Sequence, residues 1–270
     1  MSKVFDFCAR HGCRDPEIIL EGSAGSESEL IWRLREEHAD TPAMGRAVSR
    51  SCAGLSGHRA DSIRDKLLSL GVEVSEILRG LSGVESERWR RFRESCLSNP
   101  EGRKTVGRSL IGLRSAWSDS FRGWLFREGI DRHGVLMSLI GRDDESSWQT
   151  RAGALEQQEL LNGLTLSIAG VPGGRARKFR RALLQAGASP EYVAHSLMMD
   201  ASPDAWALRE ELLAKGVDLN WVALGLARIW SARSWKLRRS LLTKGANFRD
   251  VAHGIEGDYL TGGFVSGKSN

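Results

Sequence analysis

The sequence predicts an all-α fold: an α-solenoid of eight 29-residue helix-turn-helix repeats behind a degenerate N-terminal cap. Self-similarity is the first observation. SPDAWALREELLAKGVDLNWVALGL, beginning at Ser202, is followed 29 residues later by SARSWKLRRSLLTKGANFRDVAHGI, beginning at Ser231. The same step runs back through Pro42, Gly71, Pro100, Gly129, Gln158, Gly187, Gly216 and Gly245, the hinge of each unit. The second observation is helical grammar at fixed offsets from that hinge, and the third is an arginine in the same place in every unit. A fixed period of this length marks a repeat array, because one helix hairpin cannot bury its apolar face alone.

The first helix of each unit opens fourteen residues before the hinge, at Ser28, Gly57, Ser86, Ser115, Asp144, Gly173, Ser202 and Ser231. These are mostly residue types that accept hydrogen bonds from free N-terminal amides. Leu34, Ile63, Phe92, Phe121, Phe179, Leu208 and Leu237 lie eight before it. Leu pairs such as Leu67/Leu68 and Leu212/Leu213 lie four and three before it, giving one apolar stripe. A hinge Gly ends the helix in a left-handed conformation. The second helix starts from Asp131, Ser189, Asp218 or Asn247 and carries Val, Ile or Leu six past the hinge. Nine past the hinge the residue is always Ser or Gly (Ser51, Gly80, Ser109, Ser138, Ser167, Ser196, Gly225, Gly254), which predicts a close helix backbone. Gly returns twelve past it in six of the eight units and closes the second helix.

Residues 1–27 form the capping segment, 28–257 the repeats and 258–270 a polar, Gly-rich tail expected to be flexible. Residues 21–28 read as a flexible joint. Repeat five, with Thr150, Ala154 and Gln158 at its special positions, is the most divergent.

Arg35, Arg64, Arg93, Arg122, Arg151, Arg180, Arg209 and Arg238 stand seven before the hinge, beside the apolar stripe. One reading makes them a ladder of guanidiniums for phosphates or carboxylates. The structural reading is preferred: a packing joint recurs, whereas a ligand site varies. Buried there, each Arg requires partners, either helix-end carbonyls or the acidic residues Glu73, Asp131 and Asp218. That reading changes the meaning of the +5 net charge and pI of 9.2. Without those eight, the 39 basic residues fall to 31 against 34 acidic ones, so the basic pI is weak support for nucleic-acid binding.

Binding is expected on the variable face of the second helices, four, five and eight past the hinge. It carries Arg46, Arg50, Arg79, Lys104, Arg108, His133, Tyr192, His195, Trp221, Arg249 and His253. On the first helix, Trp32, Trp148, Trp206 and Trp235 recur ten before the hinge, a spacing that reads as inter-repeat packing. The run RARKFRR at 175–181, just after Gly173-Gly174, has the residues of an anion site but reads better as a turn and a solvated helix face.

No catalytic residue, metal site or cofactor is expected. Cys8, His11 and Cys13 match no common zinc spacing and lack a fourth ligand. Gly262–Ser269, GGFVSGKS, fits the P-loop pattern to the letter, but a P-loop sits between a strand and a helix, so no nucleotide is expected. No stretch reads as a signal peptide or a membrane span, and the cysteines form no obvious disulfide framework; a cytoplasmic setting with reduced thiols follows. The partner expected is a protein or peptide held along an extended surface. The alternative is nucleic acid, read one repeat per nucleotide or through a basic face, although Glu36, Asp65, Glu94, Glu191 and Glu210 interrupt any phosphate track. In architecture the array resembles HEAT, TPR and Pumilio-type solenoids, whose repeats are longer. The pattern LR..LL..G, as in Leu208-Arg209, Leu212-Leu213 and Gly216, resembles helical units of the recombination regulator RecX. Neither resemblance transfers a functional residue.

Overall fold

A computed structural model describes residues 3–256 and is all-helical, with no strand among them. Long and short helices alternate. Residues 3–138 form one compact unit. It contains α1 (Lys3–Arg10), α2 (Pro16–Gly22), α3 (Glu29–His38), α4 (Gly45–Ser51), α5 (His58–Ser69), α6 (Val74–Arg79), α7 (Glu87–Ser95), α8 (Pro100–Arg103), α9 (Ala116–Arg127) and α10 (Arg132–Met137). Residues 139–256 form a second unit. It contains α11 (Glu145–Ala154), α12 (Leu161–Ser167), α13 (Gly173–Gln185), α14 (Pro190–Ser196), α15 (Pro203–Ala214), α16 (Leu219–Leu224), α17 (Ala232–Thr243) and α18 (Phe248–Glu256). The tail and its P-loop-like Gly262–Ser269 lie outside the described residues. No helix is long and apolar enough to cross a membrane among those described.

In the first unit the short helices pack side by side in chain order, α2 on α4, α4 on α6 and α6 on α8. Here α10 packs on the 3₁₀ turn Arg108–Leu110. In the second unit α12, α14, α16 and α18 do the same. In the first unit α3 and α5 each lie against the short helices on both sides, and in the second unit α13, α15 and α17 do so. The core of the first unit runs through Leu78, Leu81, Trp89, Val106, Leu110, Phe121, Leu125 and Val135, all but Phe121 under 5% exposed.

Local chemistry sets the boundaries. Ser86, Ser115, Asp144, Ser202 and Ser231 accept the amide three residues on and start α7, α9, α11, α15 and α17. Ser28 and Gly57 make no side-chain cap, and α13 is preceded by Pro172, so Gly173 is its first residue. Gly71, Gly129, Gly187, Gly216 and Gly245 take φ between 71° and 98° and end their helices as expected. Pro42, Pro100 and Gln158 do not. In those units an extended residue (Thr41, Asn99, Gln157) precedes them and they open the next helical turn, because Pro is suited to a first turn, where its missing N–H is not needed.

A second left-handed column lies twelve past the hinge. Gly54, Gly83, Gly141 and Gly170 have φ of 69–78°, and each donates its N–H to a carbonyl just past the next short helix or 3₁₀ turn: Ser82, Ile111, Ala169 and Met198. Met199 and Arg228, the non-glycine members, keep the same conformation (φ 62° and 58°) and bond Ala227 and Ile255. The inter-helix bond therefore overrides the side chain's steric preference. Gly25 (φ 75°) donates to Ser51 in the same way, and Glu21 to Ala24 are buried. Residues 21–28 are thus a packed turn rather than the flexible joint expected from their composition.

Candidate functional site

The arginine column is interior. All eight guanidiniums are on residues at most 4% exposed. Each donates to the carbonyl twelve residues before it: Ser23, Cys52, Leu81, Leu110, Leu139, Ile168, Leu197 and Leu226. Most also reach a carbonyl nine residues before or sixteen after. Arg93 is a full example. Its Nη2 donates to Leu81 O (2.8 Å), Val84 O (2.9 Å) and Ser109 O (3.1 Å), and its Nε to Ser109 Oγ (2.9 Å). These carbonyls close one short-helix turn and the next, where the backbone runs out of intrahelical donors. One planar cation thus caps two successive short-helix ends. Burial lowers the affinity of five of these arginines for their proton, to about 9 for Arg93 and Arg209 and about 10 for Arg35, Arg151 and Arg238, and these five stay charged at neutral pH.

The Ser/Gly position is part of the same joint. Ser51, Ser109, Ser138, Ser167 and Ser196 accept the Nε–H of the Arg sixteen residues earlier. Where Gly stands instead, at Gly80, Gly225 and Gly254, the Nε of Arg64, Arg209 and Arg238 has no partner. There the neighbouring short helix comes closest: a Cβ on Gly225 would lie 2.0 Å from Ala194 O, and one on Gly254 2.1 Å from Ala223 O. Close approach, expected for all eight, is therefore the reason for the glycines, and arginine recognition is the reason for the serines. Of the acidic partners considered, Asp131 instead accepts Gly134 N and Arg108 N, and Asp218 accepts Asn220 N.

The tryptophans are packing elements as well. Trp32, Trp148 and Trp206 are 8%, 3% and 6% exposed. Each lies under its own column arginine and under an arginine from the next long helix. Arg35 and Arg59 are 4.7 and 4.8 Å from the Trp32 ring, Arg151 and Arg175 4.7 and 4.4 Å from Trp148, and Arg209 and Arg233 4.9 and 4.5 Å from Trp206. Arg59 is held by Glu29 and Glu36, and Arg175 by Glu145. In the run at 175–181, Arg177 pairs with Asp204 and Arg181 with Glu211, so neighbouring acids already neutralise much of it.

The surface residues selected from sequence divide into local groups. In the first unit Arg46 pairs with Glu17 and Glu21, Arg50 with Glu21 (3.3 Å) and Glu76 (2.7 Å), and Arg79 with Glu76. Glu21 and Glu76 are nearly buried, and the three arginines share a network with three glutamates. The positive charge of Arg46, Arg50 and Arg79 is therefore met by acids within the fold. The glutamates were within reach of the sequence: the period places Glu17 and Glu21 29 residues before Arg46 and Arg50. Lys104 is exposed and pairs with Glu101, while Arg108 lies near the exposed His133. In the second unit Tyr192 and His195 converge on Trp221, at ring-centroid distances of 4.9 and 5.6 Å. His195 is buried, and Tyr192 and Trp221 are half-buried. Arg249 and His253 lie half-buried on α18. Among the described residues no group of three or more His, Cys, Asp or Glu is placed to hold a metal ion. No protein-family model matches the chain, and no curated protein or solved structure shows significant similarity to it.

Proposed function

We propose that the chain is an α-solenoid of eight 29-residue helix pairs behind an N-terminal pair, acting as a non-enzymatic scaffold that holds a protein or peptide along its short-helix face. The observation that carries this reading is where the cations go. The eight recurring arginines spend their donors inside the fold, chiefly on backbone carbonyls and in three cases also on Asp61, Asp119 and Asp200, and the arginines of the first short helices are matched by Glu17, Glu21 and Glu76. What varies from unit to unit is a mixed surface with a half-exposed Tyr192–Trp221 pair, the kind of aromatic anchor that dominates protein interfaces. Phosphate-backbone binding instead draws on free Lys and Arg and shows a steep salt dependence.

Fluorescence anisotropy with single-stranded RNA, single-stranded DNA and duplex DNA across a salt series separates the two. The scaffold reading expects no binding even at low salt; tight binding that collapses with added salt sinks it. Peptides selected from a displayed library against the folded chain should lose about tenfold or more in affinity on Trp221→Ala. The repeat reading has its own test. Deleting residues 203–231, one full period, should leave a folded, shorter chain, whereas a deletion of about two-thirds that length should not.

A further inference from the structure

The cysteines offer a chemistry that the scaffold reading does not use. Five long helices end in the same six-residue closure around a left-handed glycine. In each, the residue after the glycine donates its N–H to a carbonyl five positions back: Val72 to Leu67, Ile130 to Leu125, Ala188 to Leu183, Val217 to Leu212 and Ala246 to Leu241, at 2.9–3.1 Å. The glycine itself donates to the residue after that acceptor's, as Gly71 does to Leu68 and Gly216 to Leu213. This closure brings its first and last side chains into contact, and the contact is normally apolar. In those five copies it is Leu against Val, Ile or Ala.

Helix α1 ends in the same closure. Gly12 has φ 70° and donates to Ala9 O, and Cys13 N donates to Cys8 O at 2.9 Å. The two contact positions are here both cysteine, so the closure sets their side chains against one another as it does the apolar pairs elsewhere. Cys8 is fully buried, whereas Cys13 is half-exposed and lines a surface cleft of about 400 Å³ with Phe5, Ala9, Ile19 and Leu34. Cys52 and Cys96 are buried elsewhere in the core.

We propose that Cys8 and Cys13 form an intrachain dithiol–disulfide site that takes up oxidising equivalents from a small hydroperoxide. The reaction begins at the accessible sulfur. The Cys13 thiolate attacks one oxygen of hydrogen peroxide, the O–O bond breaks, and water leaves once the departing oxygen has gained the thiol's proton; Cys13 becomes a sulfenic acid. Cys8 sulfur then displaces that hydroxyl, which leaves as a second water with the Cys8 proton, and the S–S bond forms. Two thiols and one peroxide give one disulfide and two waters. The order is set by access and by acidity: burial, followed by the neighbouring Cys13 and Asp15, pushes the Cys8 thiol up to about 12, so Cys8 serves as the resolving sulfur. The closure keeps the two residues paired before oxidation, so little backbone movement stands in the way of the bond.

The test is chemical and uses the whole chain. Reduced protein is treated with hydrogen peroxide, quenched with N-ethylmaleimide under denaturing conditions, and mapped by mass spectrometry without reduction. The expected result is loss of two of the four thiols, a bridged peptide joining Cys8 to Cys13, alkylated Cys52 and Cys96, and full recovery with dithiothreitol. Cys8→Ala should strand Cys13 as a sulfenic acid that dimedone traps, while wild type gives little adduct. Wild-type protein that carries sulfinic Cys13 beside an alkylated Cys8, or only disulfide-linked dimers, overturns the proposal. The wild-type map decides the matter even if the variant fails to fold.

Discussion

Replacing Arg93 with Met is the most direct test of the joint that connects successive short helices. Arg93 is fully buried, and Met fills the same channel without donors. Four carbonyls, Leu81, Val84, Trp89 and Ser109, lose a charged donor together with Ser109 Oγ. Each buried acceptor left unsatisfied costs ~1–3 kcal/mol. Relief of the guanidinium's own desolvation offsets part of the total, so a net loss of ~3–5 kcal/mol is expected, as when one member of a buried polar pair is removed. Arg93→Lys should rescue little, because an ammonium cannot present the flat fork that spans two helix ends. Arg91, two residues away with its side chain 76% exposed, is the control, and its Met variant should stay within ~0.5 kcal/mol of wild type. Urea unfolding followed by circular dichroism measures the loss. Amide exchange should show it concentrated at the ends of α6 and at the Arg108–Leu110 turn. An Arg93→Met variant within ~1 kcal/mol of wild type, with unchanged exchange there, would refute the capping argument.

Four further outcomes follow from the geometry. Gly225→Ala drives a Cβ to 2.0 Å from Ala194 O and should destabilise by ~1–3 kcal/mol or more in thermal or urea unfolding. Gly153→Ala, on α11 with nothing within 4 Å of its Cβ, should instead stabilise by ~0.5–1 kcal/mol. Arg228→Gly relieves a left-handed non-glycine residue and should raise stability by about 1 kcal/mol in the same assay. Asp131, which faces Arg108, is pushed up to about 6, chiefly by burial and against the pull of its amide donors Gly134, Arg108 and Gly107. Its folded value exceeds the unfolded one, so its stabilising contribution is complete below about pH 4 and lost as pH rises through about 6. Stability measured from pH 4 to 7 should fall less in Asp131→Asn than in wild type, and parallel curves would rule the effect out.

Legibility differed between backbone and side-chain features. The starts of α7, α9, α15 and α17 were readable from Ser86, Ser115, Ser202 and Ser231, because a cap acts within three residues of itself. At the hinges Pro42, Pro100 and Gln158 the residue opens the next helical turn instead of ending the first helix, since the period fixes where a turn falls but not which side of it the residue occupies. The ion pairs of Arg46 and Arg50 with Glu17 and Glu21 join residues a full period apart, so the sequence carried them in register, but only the fold set them against one another.

By itself the sequence determined the all-helical class and the 29-residue spacing of the long helices, and it favoured an interior position for the arginines over a ligand-facing one. These follow from local propensity, periodicity and the cost of burying a charge. Only the tertiary structure decided what the arginines bind. Their partners are mostly backbone carbonyls, which every residue type carries and which therefore leave no mark in the sequence; side chains mark the joint only in part, through Ser51, Ser109, Ser138, Ser167 and Ser196 and through Asp61, Asp119 and Asp200 beside Arg64, Arg122 and Arg180. The same holds for Cys8 and Cys13. Their spacing suggested an incomplete metal site, and it took the folded helix end around Gly12 to set the two sulfurs against each other.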